Sequence, residues 1–143
     1  IYSFFTSFDA PFQLLPATNF AIPVPAKLLF IVFSTIKNLF SFGTGGSVQA
    51  KYIVITNGTA ETPELAAIEK LANVLNANGA ISGRYGQFIM GDQANGKTYL
   101  FGAAYPSLSA IQSAYDAVAE DDDASGLYKS VSVQRRQIVR LIK

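Results

Sequence analysis

The sequence predicts an α+β domain that follows an apolar N-terminal arm, and three observations predict it. Two strand-like runs, Ala80–Met90 and Thr98–Tyr105, flank a segment that contains Asn95 and Gly96, a pair that tolerates the positive φ of a hairpin turn. A helical pattern lies on each side of this hairpin, and a strand pattern lies beyond each helix. The first 46 residues have a different composition, apolar and rich in Phe.

Residues 1–46 form the predicted arm, with a short helix and a Gly-rich linker. They carry only three charges, Asp9, Lys27 and Lys37. Prolines predict an extended or irregular first half. The helix is predicted over Ala26–Phe42 and is apolar nearly all round, which is typical of a helix buried in protein or lipid. At 1.5 Å per residue it spans about 24 Å, short of a bilayer core of about 30 Å.

This arm helix is interpreted as a docking element for a partner protein or a membrane interface. The alternative is that it covers an exposed face of its own domain. The candidate partner- or membrane-binding residues are its apolar side chains: Leu28, Leu29, Phe30, Ile31, Val32, Phe33, Ile36, Leu39 and Phe40.

The linker Gly43–Ser47 is the predicted boundary between the arm and a domain over residues 47–143. Val48–Thr56 alternates as a strand, and Asn57–Thr59 is predicted to turn the chain. A helix then begins, capped by Thr62 with Pro63 at its first position. Its inward stripe is predicted to be Leu65, Ile68, Leu71 or Ala72, and Leu75, and Asn78-Gly79 ends it.

The second helix is predicted from Ser107 to Glu120, with a stripe of Leu108, Ile111, Ala114 or Tyr115, and Val118. Ser107 or Ser109 caps it. Ser130–Ile142 is the last strand, in which Val131, Val133, Val139 and Leu141 share strand parity. Arg135 falls on the same parity, which indicates a bulge or an exposed end near Gln134–Gln137.

Composition excludes several classes of function. The net charge of +1 gives no basic surface for nucleic acid. The chain has no Cys and no His, so it lacks a thiolate nucleophile, an imidazole base, and the usual ligands of zinc and haem. We therefore expect no cofactor, no transition metal bound through side chains and no assignable catalytic residue. Enzymatic activity is left open, with none favoured.

A candidate substrate pocket is predicted on the open face of the sheet, lined by Tyr52, Asn57, Arg84, Tyr85, Phe88, Tyr99 and Tyr105. Tyr and Asn side chains are suited to a polar substrate, and Arg84 to a carboxylate or an enolate. The alternative is that these are half-buried sheet aromatics and a surface guanidinium.

Two charged runs are candidate binding sites, and each has an alternative interpretation as an ordinary solvent-exposed segment. Glu120–Asp123 supplies oxygen ligands for a hard cation, or is a solvated acidic turn. Arg135, Arg136, Arg140 and Lys143 form a basic end that contacts an anion or a lipid headgroup, or is a solvated strand edge.

The order strand, helix, hairpin, helix, strand is the ferredoxin-like βαββαβ pattern. The runs Gly79–Gly86 and Tyr99–Ser107, together with Tyr115 and Leu127–Lys129, resemble the dimeric α/β-barrel superfamily. That superfamily includes antibiotic-biosynthesis-monooxygenase-like, EthD-like and NIPSNAP-like domains. The resemblance covers about residues 48–142. It implies a sheet-on-sheet dimer, a small apolar pocket in each protomer, and chemistry such as cofactor-independent oxygenation or isomerisation.

Two hypotheses on function follow from the sequence. The first is a non-catalytic accessory subunit, anchored by its arm to a larger, membrane-associated complex and bound peripherally. Its partners are then a hetero-complex or a second copy. The chain starts at Ile1 rather than Met, which is consistent with a processed form, such as an organelle protein after removal of a targeting segment, or with a fragment. The alternative is a small-molecule enzyme or binder. An arm that folds onto its own sheet and leaves a pocket favours the alternative.

Overall fold

The computed structural model describes residues 3–4, 21–25, 36–43, 50–126 and 131–142. These residues form an α+β structure with three helices, α1 (Leu65–Ala77), α2 (Leu108–Ala119) and α3 (Asp122–Ser125). The strands are β1 (Ser3–Phe4), β2 (Ala21–Pro25), β3 (Ile36–Phe42), β4 (Tyr52–Thr59), β5 (Ser82–Phe88), β6 (Thr98–Tyr105) and β7 (Ser132–Ile142).

Five of the strands form an antiparallel sheet in the order β7-β4-β6-β5-β3. Strands β1 and β2 both pair with β7 on its outer edge, β1 antiparallel and β2 parallel. The predicted first and last strands of the domain therefore lie side by side in one sheet. Within the described segments, no helix is long and apolar enough to cross a membrane.

The hairpin of β5 and β6 follows the prediction, and β6 has the predicted bounds. At its tip Gly96 adopts a φ of +80°, and the Lys97 N–H donates to Asn95 Oδ1 at 2.9 Å. The predicted turn at Asn57–Thr59 is wrong, because β4 continues through it to Thr59. There β4 is paired on both edges, with β6 and with β7, and these ladders outweigh the local turn signal.

Both long helices are present, but the predicted start of the first is wrong. Helix α1 begins at Leu65 after an N-cap residue, Glu64, that makes no side-chain cap, so Thr62 lies outside the helix. Its end at Asn78 and Gly79 is confirmed, with Gly79 at a φ of +122°. Helix α2 is capped as predicted, because Ser107 Oγ accepts a hydrogen bond from the Ala110 N–H at 3.1 Å.

The acidic run ends in a one-turn helix rather than an open loop. Asp121 caps α3, accepting from the Ala124 N–H at 2.9 Å, and Ala124 is fully buried. In the parts of the chain that the structure describes, no three acidic, His or Cys side chains are grouped to hold a metal ion.

The helix predicted over Ala26–Phe42 is wrong at its C-terminal end, where Ile36–Phe42 is strand β3; residues 26–35 lie outside the described segments. β3 pairs with β5, and its register shifts between Asn38 and Phe40. This close pairing needs Gly86, where an added Cβ would lie 2.6 Å from the Lys37 carbonyl oxygen.

The structure consequently corrects three of the assigned partner-binding residues. Leu39 and Phe40 pack against the core beneath the helices, and Ile36 is buried on the opposite face of the sheet. Residues 36–42 of the predicted arm thus belong to the sheet. The other six assigned residues, Leu28 to Phe33, lie outside the described segments.

The core lies between the sheet and the helices. Its strand residues are Val54, Tyr85, Tyr99, Phe101, Ala103, Tyr105, Val133 and Ile138, and its helix residues include Ile68, Leu71, Leu75, Ile111, Ala114, Tyr115 and Val118. A smaller apolar cluster occupies the opposite face, with Ile36, Ile55, Leu100 and Val139 at its centre. We call this second surface the open face, because none of the described helices packs on it.

The predicted bulge in the last strand is confirmed. Asn57 pairs with Arg135 and Gly58 with Val133, so Gln134 is the extra residue. The bulge reverses the side-chain alternation, and the prediction that the four apolar residues of this strand share a face is therefore wrong. Val133 lies in the main core, but Val139 lies in the cluster on the open face.

The arginines of the predicted basic end also differ in their exposure to solvent. Arg136 is buried in the main core, 3% exposed, and its Nε donates to Thr56 Oγ1 at 3.3 Å. Its guanidinium carbon lies 5.2 Å from the centre of the Tyr115 ring. Arg135 and Arg140 are exposed.

Candidate functional site: a cleft on the open face

A cleft of about 510 Å³ lies where β3, β4, β5 and β6 meet at one end of the sheet. Its lining residues are Ser41, Phe42, Gly43, Ile53, Ser82, Gly83, Arg84, Gly102, Ala103 and Ala104. Six of these are Gly, Ala or Ser from the strands, so the cleft exists because the strands present little side-chain volume there.

Strand register explains the shape of the cleft. Arg84 stands between two short neighbours, Ser41 on β3 and Gly102 on β6. Ala104 in turn stands between Ser82 on β5 and Ile53 on β4. Cross-strand neighbours lie about 4.5–5.5 Å apart. The short side chains in these two rows therefore leave an open trough beside the long side chain of Arg84.

Arg84 is the single ionisable residue among the lining residues. Its residue surface is exposed, and the described residues provide it with no hydrogen bond or ion pair through its guanidinium. A guanidinium presents five donors in a planar fork that matches a carboxylate or phosphate in two-point contact. The cleft can therefore accept an anionic group at one position and apolar surface elsewhere.

The seven residues predicted to line a pocket do not come together. Tyr85, Tyr99 and Tyr105 are buried in the core under the helices, at 3%, 3% and 0% exposure, and Tyr52 packs against the same core. The predicted position of these four on the open face is wrong, because the helices cover the side of the sheet that carries the aromatic residues.

The other three predicted residues are on the open face but are separated. Phe88 packs against the Ile36 and Leu100 cluster. Asn57 lies near the hairpin, where its Nδ2 donates to Gln93 Oε1 at 3.4 Å. Only Arg84 of the seven lines the cleft.

Two of the buried tyrosines, Tyr85 and Tyr99, pack against each other. The rings of Tyr85 and Tyr99 are stacked, with centroids 5.5 Å apart and planes inclined by 12°. The Glu64 N–H donates to the Tyr85 hydroxyl at 3.3 Å. Burial raises the pKa of the Tyr85 hydroxyl to about 12, although the hydrogen bond from Glu64 opposes this shift.

A void beside this stack is too small for a substrate. It has about 30 Å³, which is room for no more than a few water molecules. It is lined by Thr56, Gly58, Ile68, Tyr85, Tyr99, Phe101, Val131 and Val133. The tyrosines in it therefore serve the core rather than a catalytic pocket.

A second cleft, of about 460 Å³, lies near the hairpin tip and is lined by Thr59, Ala60, Glu61, Asn95, Lys97 and Ser132. Its two charges satisfy each other, because Lys97 Nζ lies 3.1 Å from Glu61 Oε2. Both side chains are mostly exposed, so this cleft offers neither an unpaired charge nor a buried surface.

Sequence reasoning missed every lining residue of the first cleft except Arg84, and the missed residues include Ser41, Ser82, Gly102 and Ala104. A signal for two of them is present in β6. Toward the end of β6, Phe101 and Tyr105 are large on one parity, with Ala103 between them, while Gly102 and Ala104 are small on the other parity. That contrast indicates a shallow open face only at this end of β6, because Leu100 fills the same face earlier in the strand.

Comparison with known proteins identifies the class of this chain. Residues 50–141, more than half of the chain, match a family, and the chain belongs to it. The family is described as a domain of unknown function, DUF6854. No curated protein matches the chain. The chain is similar to a solved structure described as that of a major regulator of staphylococcal pathogenesis. The identity is 22%, 76% of this chain and 68% of that chain are covered, and the TM-score is 0.46.

Proposed function

We propose that this protein binds a small organic molecule in the cleft on the open face, without a cofactor. The cleft itself carries the proposal. Its volume of about 510 Å³ falls within the range of roughly 300–1,000 Å³ that is common for small-molecule sites. Such sites combine apolar walls with a few polar groups, and Ile53 and Ala104 stand beside Arg84 and Ser82 in this one.

The position of β3 supports the proposal. β3 comes from the apolar arm, yet it completes the sheet beside β5 and supplies Ser41 and Phe42 to the wall of the cleft. An arm that folds onto its own sheet and leaves a pocket favours a small-molecule binder over a tether.

We also propose that β4 to β7, with α1 and α2, form a ferredoxin-like unit to which β3 is added. The strand order β7-β4-β6-β5 and the packing of both helices on one face support this arrangement. Membership of the dimeric α/β-barrel superfamily, with a second copy packed sheet on sheet, is part of the same proposal. Light scattering of the full chain tests the dimer.

A fragment screen by protein-observed NMR on the full chain tests the binding function. We expect hits to shift the amide signals of Ser82, Arg84 and Ala104. Ala104→Leu fills the cleft and should abolish these shifts. Ala66→Leu, which adds the same atoms to an exposed position of α1, should retain them. The proposal fails if no fragment shifts these signals, or if Ala104→Leu binds the hits as well as the wild type does.

A second proposal keeps the accessory subunit, which would be peripherally bound to a membrane-associated complex. Two observations favour an apolar contact with another molecule. Ile89 and Met90, directly after β5, are 54% and 62% exposed, and the sequence run from Leu28 to Phe33 has no charge. Vesicle flotation tests this run. The binding of the double variant Leu29→Gln/Phe30→Gln to vesicles is compared with that of the wild type and of the control Lys37→Gln. The proposal is supported if only the double variant fails to float with the vesicles. If the wild type does not float either, the result counts against membrane binding.

A further inference from the structure

We infer that the ligand of the open-face cleft is a small organic carboxylate, and that Arg84 is the residue that selects it. This inference rests on the proposed function of the cleft. Arg84 is the single charge among the described lining residues, so its field is not cancelled by a neighbouring acid there. A guanidinium that no acid among the lining residues neutralises attracts an anion and can bind it at two points.

The neighbours of Arg84 leave it accessible from the cleft. On either side in the sheet stand Ser41 and Gly102, and two residues earlier on β5 stands Ser82. None of these side chains extends beyond a hydroxyl group. A carboxylate can thus approach the guanidinium in the plane of its fork, and the two serine hydroxyls are available as further donors.

The rest of the trough selects the body of the ligand. Ile53 and Ala104 supply apolar surface next to the polar corner, while Phe42 and Gly43 stand at the β3 side. A ligand with one carboxylate and a compact apolar body matches this division. A strongly polar or polyanionic ligand does not, because the lining offers a single cation.

Because β3 forms one wall of the cleft, ligand binding should also change the hydrogen exchange of this strand. Ser41 and Phe42 belong to β3, which is paired within the sheet through β5. A ligand that touches both β3 and β6 stabilises the state in which β3 is docked. Carboxylate binding should therefore slow hydrogen exchange of the β3 amides more than that of the amides of α1.

The test uses four probes with the full chain: benzoate and phenylacetate, and their neutral isosteres benzamide and phenylacetamide. NMR titration should show each carboxylate binding at least about tenfold more tightly than its amide. Arg84→Gln should weaken carboxylate binding about 10- to 100-fold and remove this preference, as expected for the loss of a charge-assisted pair. Arg84→Lys keeps the charge but not the planar fork, so its affinity for carboxylates should lie between those of the wild type and Arg84→Gln.

Lys37→Gln is the matched control, because Lys37 is an exposed cation of β3 that is not part of the cleft lining. It should bind both carboxylates like the wild type. Amide spectra of each variant establish that it is folded before its binding is measured.

The outcomes separate this inference from the function on which it rests. If fragments bind in the cleft but amides bind as well as carboxylates, the cleft function stands and the carboxylate inference is overturned. A preference for carboxylates that survives Arg84→Gln, or that Lys37→Gln also removes, overturns the role of Arg84. If no probe or fragment shifts the signals of Ser82 and Ala104, both proposals fail.

Discussion

The two faces of the sheet are built from alternate residues of the same strands, yet they differ in the volume of their side chains. Toward α1 and α2, β5 and β6 direct Tyr85, Tyr99 and Tyr105, which are almost fully buried. At one end of the open face the same strands direct Ser82, Gly102 and Ala104, which leave a cleft. One set of strands thus supplies a packed core on one side and a vacant surface on the other.

This difference separates stability from binding in physical terms. Large apolar groups contribute to stability by the area they remove from water and by close packing. Short residues on a strand contribute little packing, but they make room for another molecule. Substitutions on the covered face should consequently change the free energy of unfolding, and substitutions in the cleft should change binding first.

The largest expected effect is the loss of a helix anchor. Leu71 in α1 is fully buried in the main core, and Leu71→Ala should lower the free energy of unfolding by about 2–5 kcal/mol through lost burial and a residual cavity. Leu65→Ala on the same helix is the control, because Leu65 is 45% exposed, and it should cost less than about 1 kcal/mol. Urea unfolding measures both. Equal losses would contradict the assignment of the core to this face.

A pair of adjacent residues compares the faces directly. Ala103 borders the cleft as well, but it is 1% exposed and belongs to the main core, so Ala103→Leu should destabilise the fold by about 1–3 kcal/mol through overpacking. Ala104 lines the cleft, and Ala104→Leu should change the free energy of unfolding by less than about 0.5 kcal/mol. Thermal and urea unfolding provide the comparison, which breaks down if Ala104→Leu costs as much as Ala103→Leu.

A smaller effect tests how the covering helices begin. Ser107→Ala removes the cap of α2 and should cost about 1 kcal/mol. Thr62→Ala should leave the free energy of unfolding unchanged within about 0.5 kcal/mol, because α1 begins at Leu65 and Thr62 makes no cap. A loss of about 1 kcal/mol in Thr62→Ala would restore the helix start that the sequence predicted.

The smallest effect is confined to alkaline pH. Folding raises the pKa of Tyr85 from 10.0 to about 12, so above pH 10 the unfolded chain loses this proton and the folded chain retains it. The contribution of Tyr85 to stability is therefore complete below pH 10 and is lost as pH rises toward 12. Tyr85→Phe should reduce this part of the alkaline loss, measured by urea unfolding across that range. An identical pH dependence in wild type and variant would contradict it.

Elements with local signals were predictable from the sequence. The spacing of Ile68, Leu71 and Leu75 predicts α1, since those positions return to one side of a helix every three or four residues. The same argument predicts α2, and Asn95-Gly96 predicts the hairpin. These signals act within a few residues, and no distant partner is needed to interpret them.

β3 was not predictable in this way. Ile36, Leu39 and Phe40 recur at the spacing of one helix face, so the local pattern favours the helix that the sequence predicted. The strand instead pairs with β5, where Gly86 lacks the side chain that would clash with the β3 backbone. A distant glycine of this kind leaves no mark on the sequence of the strand that it accommodates.

The candidate site was predictable only at Arg84. Tyrosines were assigned to an open pocket because their hydroxyls suit a polar ligand, but their rings are better stabilised under the helices. Which face the helices cover depends on packing rather than on strand parity. The shift beside Leu39 and the extra residue Gln134 further alter the alternation on which parity arguments depend.

The central position of β4 has a consequence for how the protein is made. Val54 pairs with Ala103 of β6 on one edge and with Ile138 of β7 on the other. A ribosome delivers β6 well before β7, so nascent β4 carries an open, apolar edge until residues 132–142 emerge. Between the emergence of β6 and the emergence of residues 132–142 this edge can pair with other chains, so a longer delay between the two should increase aggregation.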